Sequence, residues 1–199
     1  MRKIRFLLFT LLALLYVTTV NAITVGNKFT RDGITYEVTF MDKAHDGLPE
    51  RYEVKVVSST ESGTLTIPES VLDLNNQYTF KVTAIASAGT YTNVTAVNLP
   101  STLKTINTNA FSNSQITTIN IPAGTDDIKD GAFAQIENLT AITVDAGNSK
   151  YTAEDGVLYE TTSGNKYLKA YPVAKAGTTF TVPNGVYGVS TNGFQQAKN

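Results

Sequence analysis

Along the chain, a short cassette of apolar, polar, apolar and proline positions recurs: Leu65-Thr66-Ile67-Pro68, Val97-Asn98-Leu99-Pro100, Ile119-Asn120-Ile121-Pro122 and Phe180-Thr181-Val182-Pro183. A fifth copy, Ile142-Thr143-Val144, carries Asp145 where the proline would stand. Alternation is the period of a strand with one face buried, so the residues flanking each central Thr or Asn are expected to point inward. Proline then ends the strand, because it cannot donate to a ladder. From Pro100 to Pro122 is 22 residues, and from Pro122 to Asp145 is 23. Positions outside the cassette keep the same step. Six residues after the proline come Ile106, Ile128 and Val189, and ten and eleven after it come Ala110-Phe111, Ala132-Phe133 and Gly193-Phe194.

A period of this length predicts a solenoid, in which one coil cannot bury both of its walls and stacked coils share a continuous core. The cassette supplies one wall. The later Ile or Val and the aromatic pack from the opposite wall, reached through turns or short helical segments. The expected fold class is therefore mainly β with short turns and helical segments, a solenoid running over residues 63–199. Residues 23–62 are not repeat-like. There Asp32-Gly33-Ile34-Thr35-Tyr36-Glu37-Val38 and the run Arg51 to Val57 read as strands of an N-terminal β cap.

The run from Leu99 through Pro100 to Ala110-Phe111 resembles the repeat of the BspA-like leucine-rich-repeat family of bacterial surface proteins, whose unit reads roughly I-P-x-x-V-x-x-I-x-x-x-A-F. A second block is similar to that family: Gly147-Asn148-Ser149-Lys150-Tyr151, then Asp155-Gly156-Val157-Leu158-Tyr159, then Leu168-Lys169-Ala170-Tyr171-Pro172. In such proteins this block is an insertion between two repeats, here residues 146–178, which accounts for the 38 residues from Asp145 to Pro183. The resemblance spans roughly Gly63 to Phe194. It implies a surface module without catalytic chemistry that adheres to host or matrix proteins or to neighbouring bacteria. Two departures stand out. The first repeat carries extra residues around Asn75-Asn76-Gln77-Tyr78 and lacks a clear Ala-Phe pair, with only Ile85 and Ala88 near register. No polar cap follows Gly193-Phe194, so a partner on the last coil or a truncated member is expected, and an open coil predicts a weak homodimer.

Composition narrows the chemistry. Arg2, Lys3 and Arg5 followed by the apolar run Phe6 to Val20 and by Val20-Asn21-Ala22 read as a signal peptide, residues 1–22, cleaved after Ala22. Export to the cell surface or medium follows, with no membrane span after cleavage. Cysteine is absent, which excludes a disulfide framework, a thiolate metal site and a Cys nucleophile. A formal net charge of −1 supplies no basic field for nucleic acid. The one histidine, His45, sits in Asp42-Lys43-Ala44-His45-Asp46-Gly47, a composition that a turn between strands also predicts, so a two-His metal site or a Ser-His-Asp triad is nearly excluded. The acids Asp126, Asp127 and Asp130, and Glu154 with Asp155, offer calcium or glycosidase chemistry in principle but fall in predicted loops, where solvated acids are ordinary. Asn93-Val94-Thr95 and Asn138-Leu139-Thr140 fit a eukaryotic glycosylation sequon, which carries little meaning if the source is bacterial, as the resemblance implies. No cofactor is expected.

Two candidate binding surfaces remain. If the cassette's flanking residues are inward, the central ones form an outward column: Thr66, Asn98, Asn120, Thr143 and Thr181. Simple solvent exposure of strand residues explains the same pattern. In the insertion, Val157-Leu158-Tyr159 and Tyr167 to Tyr171 are expected to pair as a hairpin through Thr162-Ser163-Gly164-Asn165. Tyr159, Tyr167 and Tyr171 then offer aromatic area to a protein or a glycan, or else pack across the hairpin. A protein partner is the leading expectation and a carbohydrate-binding accessory role the alternative.

Overall fold

The computed structural model describes residues 22–44, 49–195 and 197. The expected signal peptide through Asn21 and the His45 to Gly47 part of the histidine turn lie outside them. Among the described residues fifteen strands form, in order β1 (Lys28–Arg31), β2 (Ile34–Asp42), β3 (Arg51–Ser59), β4 (Gly63–Thr66), β5 (Ser70–Leu72), β6 (Thr79–Thr90), β7 (Val94–Asn98), β8 (Thr105–Ile106), β9 (Thr118–Ile121), β10 (Asp127–Ile128), β11 (Ala141–Val144), β12 (Tyr151–Glu154), β13 (Val157–Thr162), β14 (Asn165–Ala170) and β15 (Val186–Val189).

Four of the five cassettes become strands of one wall. β4 runs parallel to β7 with Leu65 opposite Val97 and Thr66 opposite Asn98. β9 runs parallel to β11 with Ile119 opposite Ile142, Asn120 opposite Thr143 and Ile121 opposite Val144. The second wall is the parallel ladder β6, β8, β10, which aligns Ile85, Ile106 and Ile128. That ladder does not stop at the repeats: β3 pairs in parallel with β6, and β2 and β1 follow antiparallel, so the N-terminal strands continue the second wall edge to edge.

Between the walls lies one apolar cluster that runs from Phe29 to Leu158. It contains Ile119, Ile121 and Ile142 from one side, Ile85, Ile106 and Ile128 from the other, and Phe111 and Phe133 in the returns. Val144 packs against its edge, partly buried. The first repeat lacks the Ala-Phe pair, and Tyr91 takes the aromatic place: it is fully buried with its ring 5.1 Å from that of Phe111.

Coils are also stapled by side chains that reach one period along the chain. Thr125 Oγ1 donates to the Leu103 carbonyl at 3.2 Å, Thr140 Oγ1 to Thr117 at 3.0 Å and Asn107 Nδ2 to Ile85 at 2.7 Å. Each spans 22 or 23 residues, the repeat length. The Thr117 and Ile85 carbonyls also accept the Thr140 and Asn107 amides, so these side chains reinforce backbone bonds that already join successive coils.

The expected helical segments do not form among the described residues. The returns contain left-handed residues at four-residue spacing, Asn109 (φ 53°) with Asn113 (φ 61°) and Gly131 (φ 70°) with Gln135 (φ 63°). Such residues interrupt a right-handed helix each turn, and Asn and Gly adopt the conformation at least cost. The chain turns the corner by successive tight turns instead.

The insertion is a meander, β12-β13-β14, with left-handed turn pairs Asp155-Gly156 and Ser163-Gly164 as two-residue hairpin loops favour. The second loop joins Thr162 to Asn165, the pairing expected from the sequence. This sheet closes the end of both walls. The Ile142 amide donates to the Gly156 carbonyl at 2.9 Å, and the Ile128 amide donates to Tyr151 Oη at 2.8 Å. Without those acceptors both would be unpaired groups at a strand edge. The consequence is a correction to the last coil. Phe180-Thr181-Val182-Pro183 is not a strand, and β15, which carries Val189, pairs in parallel with β14 rather than with β10. Its residues belong to a second, smaller cluster built on Val157, Tyr159, Leu168 and Tyr171, with Phe180 and Val186 packed against it. Val182, Val189 and Phe194 remain exposed.

Phe111→Ala is expected to lower unfolding free energy by about 3–5 kcal/mol, the usual loss for emptying a buried aromatic site. Tyr151→Phe, which only strands the Ile128 amide, is expected to cost about 1–2 kcal/mol. Urea denaturation of the two variants beside the parent protein measures both.

Candidate functional site

The outward column exists over four coils. Thr66, Asn98, Asn120 and Thr143 sit on the strands of the first wall with exposed side chains, one per coil. They bond to one another in pairs. Asn98 Nδ2 donates to Thr66 Oγ1 at 3.1 Å, and Thr143 Oγ1 donates to Asn120 Oδ1 at 2.8 Å. Asn120 Nδ2 also donates to Asp145 Oδ1 at 2.7 Å, so the acid that replaces the cassette proline anchors the column. Side chains already fixed by neighbours have less rotamer freedom to lose when a partner docks. Thr181, the fifth expected member, is exposed but lies beyond the insertion in the non-strand segment, outside the column.

The insertion tyrosines are placed differently from one another. Tyr159 and Tyr171 are only 1% and 6% exposed, so they do not offer outward rings. The Lys166 ammonium lies 4.3 Å from the Tyr159 ring centroid, and Tyr171 packs edge-on to Phe180 at 4.9 Å. Tyr167 is half-buried and meets Tyr187 at 5.4 Å. A cleft of about 290 Å³ brings Tyr159, Tyr171 and Thr181 together with Glu154, Asp155 and Lys175. Its two acids are already paired, Glu154 with Lys166 and Asp155 with Lys175 at 3.0 Å.

Sequence reasoning did not single out Lys169, a largely buried charge that pairs with two carboxylates. Strand alternation turns it away from Leu168, and its ammonium contacts Asp130 of the preceding coil at 2.7 Å and Glu160 of the neighbouring β13 at 3.0 Å, with a side chain only 9% exposed. Glu160 also meets Lys150 at 3.2 Å. Burial on its own would raise the Glu160 carboxyl, but hydrogen bonds and charge from Lys169 and Lys150 outweigh it and hold the carboxyl below the usual range. For Lys169 the same contest runs in reverse: burial disfavours the ammonium, yet Asp130 and Glu160 hold its pKa above the ordinary value. The remaining acids are ordinary by comparison. Asp127 pairs with Lys129 at 2.8 Å, and no group of three or more His, Asp or Glu among the described residues is arranged to hold a metal ion.

These two shifts set a pH window. A depressed Glu160 contributes stability above its unfolded value near 4.3 that is lost as pH falls through its folded value. A raised Lys169 contributes stability below its unfolded value near 10.4 that is lost as pH rises through its folded one. Thermal unfolding of Glu160→Gln is therefore expected to show a weaker loss of stability below about pH 4 than the parent, and Lys169→Met a weaker loss above about pH 10.5. Melting curves recorded from pH 2.5 to 11.5 read both, with Lys169→Met also about 1–2 kcal/mol less stable at neutral pH because Asp130 loses its cation and Glu160 keeps only Lys150.

The match to a family model agrees with the coil. Residues 88–166 match the family described as BspA type Leucine rich repeat region (6 copies). No curated protein matches the chain. Among solved structures, a leucine rich cell surface protein from Faecalibacterium prausnitzii is 18% identical with a TM-score of 0.47, over 86% of this chain and 68% of that one. A leucine-rich repeat protein from Eubacterium ventriosum is 23% identical with a TM-score of 0.48, over 85% of this chain and 56% of that one. The pneumococcal vaccine antigen PcpA is 15% identical with a TM-score of 0.38, over 88% of this chain and 64% of that one. The chain thus spans less than two thirds of the last two. Its two parallel walls and 22-to-23-residue coil make it a leucine-rich-repeat solenoid that carries a BspA-type repeat region over residues 88–166.

Proposed function

We propose that this chain is a non-catalytic protein-interaction module exported to the bacterial cell surface, and that it adheres through the outward face of the first wall. The observation that carries the reading is the column Thr66, Asn98, Asn120 and Thr143: exposed, uncharged, and held in two hydrogen-bonded pairs on the parallel strand pairs β4-β7 and β9-β11. A flat polar surface with preset donors and acceptors recognises another macromolecule by complementarity over area, whereas the chemistry of catalysis needs converging groups. Export rests on the basic start Arg2, Lys3, Arg5 and the apolar run that follows. The partner is a protein of a host, matrix or neighbouring bacterial surface. Glycan recognition at the cleft lined by Thr181, Glu154 and Asp155 is the alternative, supported by its exposed polar groups.

The test immobilises purified protein and measures saturable binding to extracellular-matrix proteins and to intact bacterial cells. The double variant Asn98→Arg with Asn120→Arg is expected to weaken that binding at least about tenfold, or about 1.4 kcal/mol, while the melting temperature moves by less than about 2 °C because both side chains are on the surface. Binding that survives this variant but disappears after enzymatic removal of glycans from the partner supports the cleft instead.

A further inference from the structure

The first wall ends differently at its two edges. At the C-terminal edge, the insertion supplies the Gly156 carbonyl to the Ile142 amide of β11. At the N-terminal edge, β4 pairs with β7 alone among the described strands. In a parallel ladder alternate residues bond to each neighbour. On β4, the Gly63 amide donates to Asn93 at 2.9 Å and the Ile67 amide to Asn98 at 3.1 Å, so the odd-numbered residues face β7. The amides and carbonyls of Thr64 and Thr66 therefore face the other way, into a groove of about 710 Å³ that both residues line.

This groove has a defined chemistry. Its floor and far wall are apolar, with Ile34, Leu65 and Val71 buried and Leu72 40% exposed. Its rim carries Asp32 and Glu61 at one end, since Glu61 lies across Gly33, where an added Cβ would sit 2.2 Å from its carboxylate. Among the described residues neither carboxylate has a cation within salt-bridge distance. The neighbouring cation, Arg31, is turned away: its guanidinium donates to the Leu72 and Asp73 carbonyls at 2.9 and 3.0 Å and to Asn76 Oδ1 at 2.8 Å. The rim is thus net negative beside a row of unpaired backbone groups.

We propose that the open edge of β4 takes up an extended, positively charged peptide segment of a partner protein as one more strand of the first wall. The backbone of the segment bonds to Thr64 and Thr66, alternate aliphatic side chains rest on Val71 and Leu72, and a lysine or arginine pairs with Asp32 and Glu61. Main-chain bonds supply affinity in this mode and the alternate side chains supply selectivity. The four residues of β4 offer about 13 Å of edge at ~3.3 Å per residue, enough for a segment of four or five residues. This site shares Thr66 with the polar face proposed above, but engages its backbone edge rather than its outward side chain, and does not depend on that face.

The probe is a fluorescent synthetic peptide, acetyl-Lys-Val-Thr-Val-Lys-amide, titrated with the purified protein, with amide shifts followed by NMR. Expected are saturable binding, shifts centred on the Thr64 and Thr66 amides, and at least a tenfold weaker Kd in the Asp32→Asn, Glu61→Gln double variant and for the same peptide with glutamine in place of lysine. N-methylation of every second peptide amide, tested in both registers, abolishes binding in one of them. Thr64→Pro, which removes one outward amide while an edge position tolerates proline, weakens binding with the fold intact by circular dichroism. The Asn98→Arg, Asn120→Arg variant binds the peptide as the parent does, which separates this site from the polar face. No saturable binding up to about 1 mM, unchanged affinity in the charge-neutral variant, or shifts confined to other strands overturns the proposal. Sedimentation showing a dimer of the free protein that Thr64→Pro abolishes also overturns it, by making a second copy of the chain the occupant.

Discussion

The structure depends on the burial of apolar side chains from each wall in every coil. A two-residue strand such as β8 or β10 has almost no stability of its own. It persists because Ile106 and Ile128 are stacked above Ile85 and face Ile119, Ile121 and Ile142 across the core. Each buried aliphatic contributes about 1.5–3 kcal/mol relative to exposure, and none of these contacts exists in an isolated repeat. Regularity of spacing is therefore a physical requirement: a one-residue slip in a strand would turn its inward set to solvent. The cross-coil hydrogen bonds from Thr125, Thr140 and Asn107 lock that register.

Stacking solves the core but leaves edges, and the two ends of the molecule treat them differently. The insertion meets both walls at once, through Gly156 on one and Tyr151 on the other, and Lys169 fastens it to the coil below through Asp130, braced by Glu160 of β13 within the meander. A partly buried charge cluster of this kind adds specificity of docking more securely than it adds stability, since desolvation offsets much of the attraction. The coil after the insertion stacks on the meander instead of on the repeats, so it has its own small core and leaves Val182, Val189 and Phe194 exposed. At the N-terminal end the second wall continues into β3, β2 and β1, while the first wall stops at β4.

Much of this was legible from the chain alone, because the cassettes, the Ile column and the Ala-Phe pairs report local alternation and period. The hairpin at Thr162 to Asn165 was legible for the same reason, since Ser163-Gly164 is turn chemistry between alternating segments. What escaped reading was decided by contacts between distant residues. Nothing local marks Tyr91 as the stand-in for the first repeat's missing phenylalanine, and Lys169 looks like any solvent-facing strand lysine until Asp130 is placed beneath it. The absence of helix in the returns followed from Asn109, Asn113 and Gln135 adopting left-handed conformations, which composition permits without requiring. The fifth cassette kept the pattern of the others but lost its neighbour to the insertion, so Phe180 and Thr181 never joined the ladder. Of the candidate site, the column at Thr66, Asn98, Asn120 and Thr143 was placed by period alone, whereas the burial of Tyr159 and Tyr171 came from packing across the meander.

Native-state hydrogen exchange tests the central claim most directly, because a shared core has to open as a unit. The amides of β6 to β11 that lie in the ladders, including those of Ile106, Ile119 and Ile121, are expected to exchange with one common free energy equal to that of global unfolding, with β15 exchanging faster through local opening. Separate exchange energies for successive coils, or protection in β15 equal to that in β8 and β10, would contradict the account of a single core that ends at the insertion.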